Sequence, residues 1–319
     1  MAKERDCMNQ DCKHGYVLSG SFGREFAGEA VGTFFMMFLG VGAACVATLF
    51  QAHTGAFQVG LIWGVTVAIC IYATRNLCGA HFNPVITVVM IATGRMPAKK
   101  FWPYFLGQLV GAFVAIAFLI TIFYATLIKN GFLNLTGPGT PMAIFVEQYP
   151  NNIHGDLSVW MGALCELLAT FCLVFFVFCL TDSYNIGRPN NNIAPLLIGF
   201  GLAMVICTFG PLTNACLNPT RDFAPRLLAC LAGVSFAEAF EPGIWLVYYI
   251  APLLGGLLAG FIFTKRFGKH QYCGRCVAIA NKFKAEPKEI TKALDEIQDD
   301  PKKLAEYERQ VSQYLNPLN

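Results

Sequence analysis

Two stretches, "CGAHFNPV" at residues 78–85 and "NACLNPTRD" at residues 214–222, decide the fold. Each places Asn-Pro in the middle of hydrophobic sequence, and the two asparagines, Asn83 and Asn218, lie 218 − 83 = 135 residues apart. Neither residue type suits a helix interior, because proline lacks an N–H and asparagine competes for backbone hydrogen bonds. Proline is at ease in the first helical position, and asparagine before it is a preferred cap. Each pair therefore marks a helix that starts inside apolar territory.

The surrounding sequence says what that territory is. Of 319 residues, 55% are hydrophobic and 13% charged, where a soluble domain carries about 25% charged residues. The charge deficit is concentrated between residues 25 and 264. Six apolar runs, 26–50, 57–74, 101–127, 158–181, 193–210 and 243–264, have roughly the 20-residue length a bilayer demands. The chain reads as an integral, multi-pass helical membrane protein and not as a soluble one. The first 24 residues carry Lys3, Glu4, Arg5, Asp6, Asp11, Lys13 and Arg24 ahead of any apolar run, so no cleavable leader is expected and the first span targets the chain.

Lys and Arg gather in the amino end, in the 94–100 loop (Arg95, Lys99, Lys100), in the 182–192 loop (Arg188) and after residue 264 (Lys265, Arg266, Lys269). The 51–56 loop has none and the 128–157 loop only Lys129. This bias places both termini in the cytoplasm; the membrane is expected to be a plasma or cytoplasmic one. The net charge of +3 is spread over these loops and gives no sign of nucleic-acid binding. Most of the thirteen cysteines, among them Cys45, Cys70, Cys165, Cys172 and Cys179, lie inside apolar runs and read as small hydrophobes.

An internal repeat orders the spans. "GEAVGTF" at 28–34 is answered by "CELLATF" at 165–171: a lone Glu, then Thr four residues on, then Phe. From Glu29 to Asn83 is 54 residues and from Glu166 to Asn218 is 52. A short apolar stretch follows each Asn-Pro, at 83–93 and 218–230, and "GQLVGAFVA" at 107–115 is echoed by "APLLGGLLAG" at 251–260. Three spans per half put the second half in the membrane upside down, and short interrupted segments at matching places point to a site at the midplane. A stretch of that length cannot cross a hydrocarbon core about 30 Å thick. It dips in and stops, so two half-helices enter from opposite faces with their amino termini meeting.

At that meeting point each asparagine side-chain oxygen caps its helix. The carboxamide NH2 groups are expected to stay unbonded, aimed at whatever passes. The preceding residues, 79–82 and 214–217, are read as unspooled backbone, with Gly79, Ala80, His81, Asn214, Ala215 and Cys216 giving the path its carbonyls. At such depth that is tolerated only along a cavity, where the carbonyls form a line of acceptors.

With these motifs in view, the chain resembles the aquaporin family, in particular its glycerol-facilitator (aquaglyceroporin) branch, over about residues 22 to 276. The family's "SGAH-NPA" stands here as Cys78-Gly79-Ala80-His81-Phe82-Asn83-Pro84-Val85, and "GPLTGFAMNPARDFGP" as "GPLTNACLNPTRDFAP". Asp222 directly after Arg221 is the mark of the glycerol branch. Val85 and Thr220 depart from the family's Ala, at positions expected to face helix packing.

The resemblance implies an all-α membrane protein, six transmembrane helices plus two half-helices in an inverted 3+3 repeat, forming a right-handed bundle and a homotetramer. It implies a passive channel for glycerol and other small uncharged solutes (polyols, urea) with some water, excluding ions and protons, with no enzyme activity, cofactor or metal. Arg221 becomes a filter residue that donates to solute oxygens and repels cations. Trp63, Ile206 and Ala215 fall at the other filter positions, where glycerol members carry Trp, a Gly and a second aromatic. One bulk is lost at Ala215 and another gained at Ile206, so the apolar wall opposite Arg221 is rebuilt.

Glu29 and Glu166 are expected to hold the unspooled loops by accepting their N–H groups, with Asp222 also in structural support; a proton relay is the competing reading. His81 is read as a vestibule residue and Arg75 as a charged mouth or gate. The chain divides into an amino tail (1–22), a channel domain (23–264, repeats 24–127 and 158–264) and a carboxyl tail (265–319). In the tails, Cys7, Cys12, His14, His270, Cys273 and Cys276 could hold zinc by spacing. Residues 286–315 read as a broken charged helix for self-association or a partner, and Asn134-Leu-Thr136 is a glycosylation sequon. A coupled secondary transporter, which inverted repeats also build, and a junctional scaffold with little conduction are the alternative functions.

Overall fold

The computed structural model describes residues 21–52, 55–130, 142–149, 157–182, 185 and 187–267. The terminal cysteine clusters, the sequon and the charged carboxyl helix lie outside the described residues. Among these residues there is no strand, and six helices are long and apolar enough to cross a membrane.

The first half comprises α1 (Phe22–Phe50), α2 (Ala56–Thr74), the half-helix α3 (Pro84–Ala92) and α4 (Phe101–Lys129). After the short α5 (Met142–Phe145), the second half repeats the order: α6 (Val159–Thr181), α7 (Ala194–Thr213), the half-helix α8 (Pro219–Leu231), the short α9 (Phe236–Ala239) and α10 (Pro242–Phe267). Wide π turns at Trp245–Ile250 and Phe263–Phe267 interrupt α10. Both halves begin alike: Ser21 caps α1 by accepting from Arg24 N, and Ser158 caps α6 by accepting from Met161 N. Each serine precedes its buried glutamate, Glu29 or Glu166, by eight residues.

Small residues at matched positions let the helices touch backbone to backbone. A Cβ on Gly111 of α4 would stand 2.3 Å from the Ala30 carbonyl of α1, and one on Gly255 of α10 would stand 2.1 Å from the Leu167 carbonyl of α6. Ala30 and Leu167 each follow the repeat glutamate, so the α1–α4 and α6–α10 crossings are the same joint made twice. Between the halves, Gly64 of α2 and Gly199 of α7 face each other, and a Cβ on either would strike the other's carbonyl at 2.2–2.3 Å. Without water to expel between helices in lipid, such close van der Waals packing is what holds spans together.

The outer surface is apolar, with Phe35, Leu39, Phe118, Ile122, Leu164 and Met204 all exposed. The exposed indoles of Trp102 and Trp160 stand at the starts of α4 and α6, where amphipathic rings suit the lipid–water boundary. Within the spans, Glu29, Thr33, Thr66, Gln108, Glu166 and Thr170 are instead buried. Val85 and Thr220 pack away from the central cavity: Val85 lies against Gly256 of α10, and Thr220 is 2% exposed.

Candidate functional site

Pro84 and Pro219 open α3 and α8. Asn83 Oδ1 accepts from Val85 N at 2.8 Å, and Asn218 Oδ1 accepts from Thr220 N at 3.1 Å and Arg221 N at 3.4 Å. The carboxamide NH2 groups differ from the sequence expectation. Asn83 Nδ2 donates to the Leu217 carbonyl and Asn218 Nδ2 to the Phe82 carbonyl, both at 2.8 Å. Each cap thus ties down the opposite loop, and one of its two amide protons remains for the cavity. The contact crosses between halves, so nothing local in the sequence announces it.

The loops before the caps are held in matching ways. Glu29 accepts from His81 N (2.9 Å) and Phe82 N (2.7 Å). Glu166 accepts from Cys216 N and Leu217 N (both 2.9 Å) and from the Thr213 hydroxyl (2.6 Å). Both carboxylates are fully buried. The loops need this hold because Ala80 (φ 54°), Phe82 (φ 52°), Ala215 (φ 53°) and Leu217 (φ 56°) occupy the left-handed region, at a cost of about 1–2 kcal/mol each. Left-handed residues spaced by two keep the segment from coiling and leave its carbonyls available to the cavity that Gly79, Ala80, His81, Asn214, Ala215 and Cys216 line.

Further supports were not legible in the sequence. Gln108 Nε2 donates to Glu29 and to Thr87 Oγ1, which also meets His81 Nδ1 at 3.1 Å. The Tyr104 hydroxyl accepts from Gly79 N (2.7 Å), and the Tyr248 hydroxyl donates to the Thr213 carbonyl (3.0 Å).

One cavity of about 610 Å3 runs from Thr48 and Ala56 past both asparagines to Thr181 and Ile198. Arg221, Trp63, Ile206 and Ala215 line it together, and the Arg221 guanidinium carbon lies 5.7 Å from the centre of a Trp63 ring. A Cβ on Gly40 of α1 would meet that indole at 2.5 Å, so Gly40 makes the space in which Trp63 stands.

Arg221 is not the unpaired cation that the sequence suggests. Its Nε is ion-paired with Glu147 Oε1, and its Nη1 donates to the Phe145 carbonyl. Glu147 is 3% exposed and lines the same cavity. Burial pushes its carboxyl up to about 7 against the pull of Arg221, with repulsion from Asp222 and Glu166 adding to the rise. Asp222 in turn fixes the segment: its Oδ1 accepts from Glu147 N (2.7 Å), and its Oδ2 accepts from Arg226 Nε (2.6 Å) and the Tyr249 hydroxyl (2.8 Å). Arg226 completes the tie by donating to the Glu147 and Ala239 carbonyls. The i,i+4 spacing of Asp222 and Arg226 was a readable sign of this pair. A lone acid in "MAIFVEQY" (142–149) was the sign of Glu147.

Arg75 lies away from this constriction. It caps α2 and donates to the Asn191 carbonyl at 2.8 Å, while the Tyr72 hydroxyl donates to the Asn192 carbonyl. No group of three or more metal-ligating side chains occurs among the described residues.

Comparison with known proteins bears on this arrangement. The glycerol uptake facilitator protein of Haemophilus influenzae is 32% identical over 253 residues, covering 77% of this chain and 94% of the relative. The propanediol uptake facilitator of Salmonella typhimurium is 30% identical over 267 residues, covering 81% and 99%. The crystal structure of the aquaglyceroporin from Plasmodium falciparum superposes with a TM-score of 0.67 at 26% identity, covering 77% of this chain and 97% of that one. The family model for major intrinsic proteins matches residues 17–263. With its paired helix caps, buried glutamate braces and a cavity that passes both caps, the chain belongs to the major intrinsic protein family.

Proposed function

We propose that this chain is a passive channel for glycerol and other small uncharged solutes, diols and urea among them, which also passes some water and excludes ions and protons. The observation that carries this reading is the cavity that Asn83, Asn218, Arg221, Trp63 and Ile206 line together. Relatives named for glycerol and propanediol uptake support the solute class.

A polyol has hydroxyls along one edge and CH groups along the other. The guanidinium, the free amide protons of Asn83 and Asn218, and the loop carbonyls serve the hydroxyl edge, replacing hydration at each step. Trp63 and Ile206 receive the CH edge, and Ala215 leaves room where a second ring would stand. Ions find no such replacement for their shells, and the amino ends of α3 and α8 direct about half a positive charge each at the midplane. Glu29 and Glu166, bonded to backbone N–H groups, act as braces and not as proton relays.

Arg24, Arg75, Arg95, Lys100 and Arg188 share one end of the bundle, through contacts of Arg24 with Asn76, Lys100 with Glu25, Arg75 with Asn191, Arg95 with Asp182 and Arg188 with Thr181. This supports placing that end, and both termini, in the cytoplasm. Homotetrameric assembly is part of this proposal, and family membership supports it.

Flux in proteoliposomes tests the reading. Vesicles shrunk by a glycerol gradient should re-swell with weak temperature dependence and no saturation, and an impermeant sugar should hold them shrunken. Saturating flux, or flux altered by a proton or sodium gradient, would establish a coupled transporter instead.

A further inference from the structure

Arg221 is usually thought of as the cation of such a constriction, yet here its guanidinium does not stand alone. Glu147 arrives on the loop after α5, enters the cavity wall, and places its carboxylate on Nε. Its position is enforced from both sides, since its N–H is held by Asp222 and its carbonyl by Arg226. Together with the Phe145 carbonyl on Nη1, this commits two of the three guanidinium nitrogens to the protein while Arg221 still lines the cavity. We propose that Glu147 is a specificity-determining residue of the cavity: its carboxylate cancels the Arg221 charge, so that the two form a neutral donor–acceptor pair that recognises hydroxyl-bearing solutes and gives small anions no foothold.

The proposal rests on the channel reading and deepens it. A neutral pair sets guanidinium donors beside a carboxylate acceptor in the cavity lining, as a vicinal diol requires of its two hydroxyls. Removing the negative member leaves a buried +1 in a path already positive at its midplane. Nitrate or chloride would then be drawn in.

Several charged or titratable groups surround Glu147: Arg221, Asp222 and Arg226 from α8, Glu166 from α6, Tyr248 from α10, and Cys216 from the loop before α8. Burial, with Asp222 and Glu166 adding to it and Arg221 opposing it, raises the Glu147 carboxyl to about 7. The carboxylate is charged above that value and neutral below it. Anion exclusion should therefore hold in alkali and weaken as the pH falls.

The test uses the full-length protein in vesicles, with nitrate as the anion and glycerol as the neutral solute. Glu147→Gln keeps an acceptor for Nε and removes the charge; Glu147→Asp keeps the charge; Glu238→Gln removes an exposed acid elsewhere as a control. Nitrate permeability at pH 8 should rise about tenfold in Glu147→Gln, and stay at the wild-type level in Glu147→Asp and Glu238→Gln. Wild-type nitrate leak should grow between about pH 8 and 6, and the Glu147→Gln leak should be flat.

Glycerol-conducting Glu147→Gln vesicles that exclude nitrate like wild type would overturn the proposal. If that variant conducts nothing, the wild-type titration decides, and a flat nitrate leak over this range overturns it. Wild-type vesicles that fail to pass glycerol would defeat the channel reading itself, which is a separate result.

Discussion

Replacing Glu166 by Ala removes the acceptor for Cys216 N, Leu217 N and the Thr213 hydroxyl. The hydroxyl can rotate toward another partner, but the two backbone N–H groups cannot. They sit at a place with no exposure on the carboxylate side, and each buried donor left unbonded costs about 1–3 kcal/mol. The expected loss is thus about 2–6 kcal/mol, drawn from a loop that already holds Ala215 and Leu217 in left-handed geometry. The strained residues should relax, carrying the Leu217 carbonyl away from Asn83 Nδ2 and disordering the acceptor line.

Thermal unfolding in detergent, followed by intrinsic fluorescence, should show a clear drop in midpoint. Stopped-flow light scattering should show loss of glycerol flux. Glu166→Gln should fall between, because its oxygen replaces one acceptor while its NH2 confronts the second N–H. A Glu166→Ala protein with wild-type midpoint and flux would refute the brace, and with it the view that these glutamates shape the loops.

Three further outcomes are expected. Arg221→Ala strands Glu147 as an unpaired acid in the cavity wall; urea and small cations should pass more readily, measured as urea flux and reversal potential, while unchanged selectivity would remove Arg221 from the constriction. Gly40→Ala puts a methyl 2.5 Å from the Trp63 indole, which must swing toward the cavity, so glycerol flux should fall by about tenfold with the helix content intact by circular dichroism. Ile206→Gly widens the apolar wall and should speed a larger polyol such as xylitol relative to glycerol; a constant ratio would mean that Ile206 does not set the width.

How much of this could be read in the chain divides by the range of the interaction. Span lengths, the Asn-Pro caps and the repeated Glu are properties of composition and short spacing, and membrane solvation leaves little freedom once such segments exist. The pairing of a buried glutamate with the loop before an Asn-Pro cap also survives translation into structure, because it occurs twice at nearly equal spacing, 54 and 52 residues. Contacts made by single residues across the halves left no periodic trace. The exchange of amide bonds between Asn83–Leu217 and Asn218–Phe82 is of this kind; within each half, Tyr104 on Gly79 and Tyr248 on Thr213 are equally single contacts with no period behind them. Glu147 escaped notice for another reason: it sits in irregular chain, where neither a helical nor a strand period frames it, and its partner lies 74 residues on. An Arg expected to need a counter-charge in lipid could have prompted a search for one among the loop acids.

Synthesis on the ribosome proceeds from the amino terminus, so Asn83 is made long before Leu217, the carbonyl it donates to 134 residues later. A nascent chain that has not reached that point carries its first re-entrant loop with the Glu29 brace but without the amide tie from across the midplane. Neither half can mature by itself, and the permeation path comes into being only when the last repeat folds back onto the first. Premature termination therefore leaves no slow or partial pore; it leaves exposed peptide dipoles in hydrocarbon, which is the kind of defect that membrane quality control removes.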